Sequence, residues 1–211
     1  MGLRTSTSLS LLVAAVFAAV FKTPGSNCQA LRVGNCLKPI VTPPYPAATL
    51  NTLADGTPWF ATHRTKSFFD LKLYCEKFQF TQKPSTTGTL EVVITGNIPL
   101  SRTVMINSEM TSMDPNFQRY TVSFKRTALS TLMLPNLLPS QYILLGTSGN
   151  PPTLAVIYSC PTSGSINGES TYVLSKTRFI NAGNLEVAKN ILTSAGLSNN
   201  LKEAEQTICT L

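Results

Sequence analysis

Gly56-Thr-Pro-Trp-Phe-Ala-Thr-His-Arg64 is the stretch on which the fold turns. It holds the only tryptophan, Trp59, and the only histidine, His63, of the 211 residues. A proline-dense segment precedes it, and a long series of short alternating segments follows. A tryptophan at the start of the first strand of a closed sheet is suited to seal one end. Its apolar area is large and its indole N–H needs one partner. The plainer reading is a core residue, since tryptophan is highly buried on average. The segments on either side decide between the two.

Upstream, Leu31–Asp55 carries Pro39, Pro43, Pro44 and Pro46. That density excludes a helix and a central strand. It reads as an extended arm on the outside of the domain, tethered by Cys36. Downstream, the pattern is β. The expected strands are Thr57–Thr65, Leu71–Gln82, Gly88–Gly96, Ser101–Met110, Phe117–Lys125, Gln141–Thr147, Thr153–Cys160 and Glu169–Arg178. Pro84 and Gly88, Gly96-Asn97, Asp114-Pro115-Asn116, Pro139-Ser140, Gly149–Pro152 and Gly164–Gly168 punctuate them. Short strands at regular spacing with turn chemistry between them imply a meander, sandwich or barrel.

The period then changes. Leu185, Ala188, Ile191, Leu192 and Ala195 fall at helical spacing. Asn184 can cap this helix, Glu186 suits its first turn, and Gly196 ends it. One amphipathic helix must lay its apolar stripe against the sheet.

Length and composition fit one domain with a sizeable core. The first residues read as a secretory signal peptide over 1–28, with the cut between 28 and 31. Arg4 is the basic start, Leu9–Phe21 is an apolar stretch too short to span a bilayer comfortably, and small or turn-forming residues follow. Residues 29–211 form the domain. No later segment approaches transmembrane length. Removing Arg4 and Lys22 from seventeen basic residues leaves fifteen against ten acids, close to +5 instead of the full chain's +7. These charges are scattered and do not alternate with aromatics, so a nucleic-acid groove is not expected. Loss of Cys28 leaves Cys36, Cys75, Cys160 and Cys209, which imply two disulfides with three pairings open. Their wide spacing and the single histidine argue against a metal site, and no Asn-x-Ser/Thr sequon is present.

Four pieces, taken in order, resemble the lipocalins of the apolipoprotein D and arthropod pigment-binding kind. They are Gly56–Arg64; Tyr142–Ser148 followed by Ala155–Cys160; Tyr172-Val-Leu-Ser-Lys176; and Lys189–Ser194 with Cys209. Gln29–Cys36 is similar to a mature apolipoprotein D amino terminus. The resemblance covers essentially all of 29–211. It implies an all-β fold: an eight-stranded up-and-down antiparallel β-barrel with one C-terminal α-helix outside. It also implies the bonds Cys36–Cys160 and Cys75–Cys209, and closure of one end by Trp59 beneath a cation, here Lys176 where the family usually has Arg. Pro58 lengthens the usual Gly-x-Trp, and Ser148-Gly149 stand where the second motif has Asp-Tyr.

Strand parity then draws a pocket. An outward Cys75 turns Tyr74, Glu76, Phe78 and Phe80 inward. An inward Trp59 brings Ala61 and His63 with it. Tyr120, Val122 and Phe124 face in, and an outward Cys160 leaves Ala155, Ile157 and Ser159 inward. The expected ligand contacts are His63, Glu76, Phe78, Phe80, Tyr120, Val122, Phe124 and Ile157: an apolar wall with two polar points.

The function this implies is a secreted, extracellular, non-catalytic carrier of a carotenoid, bilin, retinoid, sterol or fatty acid. It would need no cofactor beyond that ligand and have no nucleic-acid partner, and homo- or hetero-oligomers are compatible with it. The second reading is a filled barrel acting through its surface, with Phe68-Phe69 at the rim as a contact. A lipid-modifying enzyme is the third. It would need an activated nucleophile beside a base, and His63 has none nearby in the expected fold.

Overall fold

The computed structural model describes residues 32–33, 36–40, 53–65, 73–83, 88–98, 102–113, 119–125, 141–160, 162–163, 166–207 and 209. The expected leader, most of the proline-rich arm and Phe68-Phe69 lie outside them.

Eight antiparallel strands close on themselves. In order round the barrel they are β2 (Asp55–Arg64), β3 (Tyr74–Gln82), β4 (Thr89–Ile98), β5 (Arg102–Ser112), β6 (Arg119–Phe124), β7 (Gln141–Ser148), β8 (Leu154–Ser159) and β11 (Ser170–Ser175). β11 pairs with both β8 and β2, which leaves the barrel no open edge. Outside it, β1 (Arg32–Val33), β9 (Thr162–Ser163) and β10 (Ile166–Asn167) form a small sheet in the order β1-β10-β9, which periodicity does not foretell. The helix α1 (Ala182–Ser194) precedes β12 (Lys202–Glu203), a short strand on the edge of β2.

Burial follows what lies on each face. In β6, Arg119, Thr121 and Ser123 are exposed while Tyr120, Val122 and Phe124 turn to the inner core. β8 is buried along its whole length, because α1 and the arm cover its outer face. There are thus two cores. The inner one gathers Trp59, Phe78, Phe80, Val92, Ile106 and Leu174. The outer one packs Ile143, Leu145, Val156 and Val173 against Ala188 and Leu192 of α1.

The helix begins earlier than its apolar spacing implies. Asn181, not Asn184, is the N-cap, and its side chain accepts a 2.8 Å bond from Asn184 N–H. Gly196, at φ +73°, follows the C-cap Ala195. In the β7–β8 turn, Gly149 has φ +95°, and a Cβ there would lie 2.9 Å from the Pro151 carbonyl oxygen. Only glycine fits.

Four register shifts break strict alternation: at Thr62 in β2, at Cys75–Glu76 in β3, at Leu145 in β7 and between Asp55 and Pro58 at the start of β2. Cys75, at φ +58°, makes the second. β2 and β3 part beyond it, and the chain after α1 fills the seam. Ala204 N–H donates to Thr62 O and Cys75 N–H donates to Glu205 O, both at 2.8 Å. Gln206 Nε2 donates to Ala61 O at 2.9 Å and to Glu76 O at 3.2 Å. The bonds Cys36–Cys160 and Cys75–Cys209 are both formed, so the implied pairing is the one present.

Candidate ligand site

The floor is built from β2 and the end of β11. β11 stops at Ser175, and the following residue folds back beneath the barrel. Trp59 is fully buried, and its indole N–H donates to Leu53 O at 3.0 Å. Lys176 Nζ lies 4.2 Å from the indole centroid. The same ammonium donates to Asp55 Oδ1 at 2.9 Å and Oδ2 at 3.1 Å, and to the Thr57 hydroxyl. Asp55 Oδ1 also accepts from Thr57 N–H at 2.8 Å and Thr57 Oγ1 at 2.6 Å. Partial burial works to raise the Asp55 pKa, but the Thr57 and Lys176 bonds outweigh it and hold it below the ordinary value. Arg178 lies elsewhere, 5.7 Å from the Phe60 ring.

The expected aromatic wall is brought together. Phe78, Phe80 and Tyr120 belong to the buried inner core, with Ile157; Val122 and Phe124 pack against it half-buried. Phe78 lies 6.2 Å from Phe80 and 5.4 Å from Tyr172, centroid to centroid. Much of the interior is therefore already filled. A cavity remains, bordered by Phe80, Tyr120 and Ile157 as parity implied, and also by Leu53, Leu90, Met110, Tyr142 and Leu144. It gives the centre of a water-sized sphere about 10 Å³, room for about one water molecule.

His63 is a correction. The extra residue at Thr62 reverses parity: Ala61 stays inside opposite Leu174, while His63 stands opposite Val173 of the outer core and Glu203 of β12. It therefore faces outward, away from the wall it was expected to join. Burial pulls its pKa below the ordinary imidazole value; Glu203 opposes this and Lys189 adds to it. Its Nδ1 is buried without a hydrogen-bond partner among the described residues. Tyr74 is a second correction, since the shift at Cys75–Glu76 sets it opposite Asn97 on the outer face.

Glu76 does point inward, and it is 4% exposed. Its partner was missed. Arg64 stands opposite the inward Tyr172, and its Nη1 lies 3.4 Å from Glu76 Oε2. Strict alternation from Trp59 sends Arg64 outward, so pattern alone could not find it. The signal available was the cost of an inward carboxylate, which demands a nearby cation. Tyr142 was missed for another reason: β7 is apolar on both faces and carries no parity. Burial, and then the charge of Glu76, push its hydroxyl pKa far above the usual phenol range, so it stays a neutral donor.

No family model matches the sequence, and a search of curated proteins finds no match. Solved structures do match. Lobster apocrustacyanin A1 is 11% identical at a TM-score of 0.59, over 83% of this chain and 91% of that one. Insecticyanin from the tobacco hornworm Manduca sexta is 13% identical at 0.56, over 87% and 95%. A biogenic amine-binding protein is 15% identical at 0.58, over 80% and 86%. At these identities it is the fold that is shared, and with a closed eight-stranded barrel, one external helix and a tryptophan floor, the chain has the lipocalin fold.

Proposed function

We propose that this protein is a secreted lipocalin, of the apolipoprotein D and arthropod pigment-binding kind, that carries a small hydrophobic ligand in its barrel without catalysis. One observation carries the reading: among the described residues, the interior is an apolar tube with a sealed floor and partly exposed apolar side chains away from it. Trp59 and Lys176 close the floor, while inward Ile98, Val122, Phe124 and Tyr172 away from it remain partly exposed. Ligand enters there and is held by apolar burial, worth roughly 25 cal/mol per Å² before association costs. Candidates are a carotenoid, bilin, retinoid, sterol or fatty acid. A structural neighbour that binds biogenic amines supports the use of such a barrel for small ligands. Cleavage between 28 and 31 would release residues 29–211 to the oxidising exterior, where the two disulfides persist.

The second reading is a filled barrel acting through its surface. The small cavity above the floor favours it, since pockets for drug-sized ligands hold about 300–1,000 Å³. Native mass spectrometry with an absorbance spectrum, on protein from its own source, separates the two. A small hydrophobic molecule lost on denaturation supports the carrier, and a visible band points to a carotenoid or bilin. A bare mass that is unchanged after fatty acids, retinoids and carotenoids are offered supports the filled barrel.

A further inference from the structure

The register between β2 and β3 stops at the pair Phe60–Lys77. Beyond it, Ala61 and Thr62 on one side and Cys75 and Glu76 on the other are bridged by the chain after α1. Ala204 N–H and Gln206 Nε2 donate to Thr62 O and Ala61 O on β2. Glu205 O accepts from Cys75 N–H, and Gln206 Nε2 donates to Glu76 O, on β3. This seam borders the interior. Ala61 belongs to the inner core, on the same face as Trp59, and Glu76 is 4% exposed and turned inward.

The tail has little apolar surface with which to hold its place. Its side chains alternate: Ala204 and Gln206 are 4% and 2% exposed, while Lys202, Glu203, Glu205 and Thr207 are exposed. A methyl group and an amide bury little apolar area, and apolar burial is the main noncovalent hold of one segment on another. The covalent bond Cys75–Cys209 supplies the rest. Cys75 itself sits at φ +58°, a left-handed conformation that a residue with a Cβ adopts at a cost. Its N–H bond to Glu205 O and its bond to Cys209 fasten that conformation to the tail.

The geometry points to the tail as a strap across a lateral door into the barrel, with Cys75–Cys209 as its catch and a dithiol reductant as the agent that opens it. Cys209 is half-buried and Cys75 is 6% exposed, so Cys209 Sγ takes the attack. One thiolate of the reductant bonds to it, and Cys75 leaves as a thiolate. The second thiol then displaces Cys209 and closes the reductant's own disulfide. Two electrons pass from the dithiol to the cystine, and the dithiol's two protons end on Cys75 and Cys209. The strap stays shut in an oxidising exterior and opens where dithiols are met, which releases cargo. That release rests on the carrier reading; the door does not.

Trp59, the only tryptophan, is fully buried on the inner face and reports on the door without a ligand. Acrylamide quenching of the ligand-free, disulfide-bonded chain is compared with that of Cys75→Ala/Cys209→Ala and of Cys36→Ala/Cys160→Ala. The first pair is expected to quench at least threefold more steeply with its far-ultraviolet circular dichroism unchanged, and the second to match the unaltered chain. In the second pair dithiothreitol reduces Cys75–Cys209 alone, and quenching should then rise to the value of the first. Should the first pair fail to fold, Gln206→Ala keeps the bond, removes two of the seam's hydrogen bonds and is expected to raise quenching about twofold. Retinol loaded into the same proteins should leave at least tenfold faster once Cys75–Cys209 is broken. Quenching that stays at the unaltered value without Cys75–Cys209, or that rises equally without Cys36–Cys160, overturns the door. Increased quenching with retinol leaving no faster overturns the release. Increased quenching in a chain that binds no fatty acid, retinoid or carotenoid overturns the carrier and leaves the door standing.

Discussion

Lys176 makes three kinds of contact with one ammonium: the indole face of Trp59, the Asp55 carboxylate and the Thr57 hydroxyl. The ion pair is worth little, because the Asp55 side chain is 40% exposed and water screens it. The buried indole face matters more, at about 0.5–2 kcal/mol. Lys176→Met is therefore expected to lower stability by about 1–2 kcal/mol, read as a lower urea midpoint of Trp59 fluorescence with an unchanged slope. His63 acts in the opposite sense. Its folded pKa lies below the unfolded value of 6.5, so the unfolded chain binds the proton more readily. Stability is complete above the unfolded pKa and falls with pH from there down to the folded one. Urea melts at pH 7.5 and pH 5 should show the unaltered chain losing more stability on acidification than His63→Asn does. Equal losses would mean that the helix-side burial of His63 carries no proton linkage.

At the scale of elements, the post-helix tail does work that its sequence hides. It supplies partners to Thr62 O, Cys75 N–H, Ala61 O and Glu76 O, where β2 and β3 have parted. The Cys75–Cys209 bond, closing a separation of 134 residues, keeps it there. Replacing both cysteines with alanine is expected to cost about 2–5 kcal/mol, with amide exchange rising first at Cys75 and Ala204. A uniform rise across all strands would instead place the bond's effect in the unfolded chain alone. Elements of this kind also mark where the sequence was legible. β6 alternates without interruption, so the inward set Tyr120, Val122 and Phe124 follows from period two. Midway along, β2 gains a residue at Thr62 and β3 one at Cys75–Glu76, and a bulge has no composition of its own: Thr62 and Cys75 look like any strand residue. One insertion sent His63 out and Arg64 in, and the other turned Tyr74 out. β7 and β8 are buried on both faces, so Tyr142 and Leu144 carried no directional signal at all. The cap of α1 was misplaced because Ala182 and Gly183 have no apolar period to announce a first turn.

Over the whole molecule, the inner and outer cores share the same three strands. β7, β8 and β11 give Tyr142, Leu144, Ala155, Ile157 and Leu174 to the interior, and Ile143, Leu145, Val156, Tyr158 and Val173 to the helix side. A wall one residue thick cannot lose packing on one face and hold its register on the other, because a slip of one residue exchanges the two faces. Helix docking and barrel closure should therefore unfold together. Leu192 is fully buried under α1 against this wall and lies on the far side of it from Trp59. Leu192→Ala removes methyl groups from the outer core only and is expected to cost about 2–5 kcal/mol. If the cores are coupled, Trp59 fluorescence and far-ultraviolet circular dichroism will shift to lower urea by the same amount and remain superimposed. An early loss of helical signal, with the Trp59 transition left in place, would show instead that α1 is a detachable cover and that the barrel stands alone.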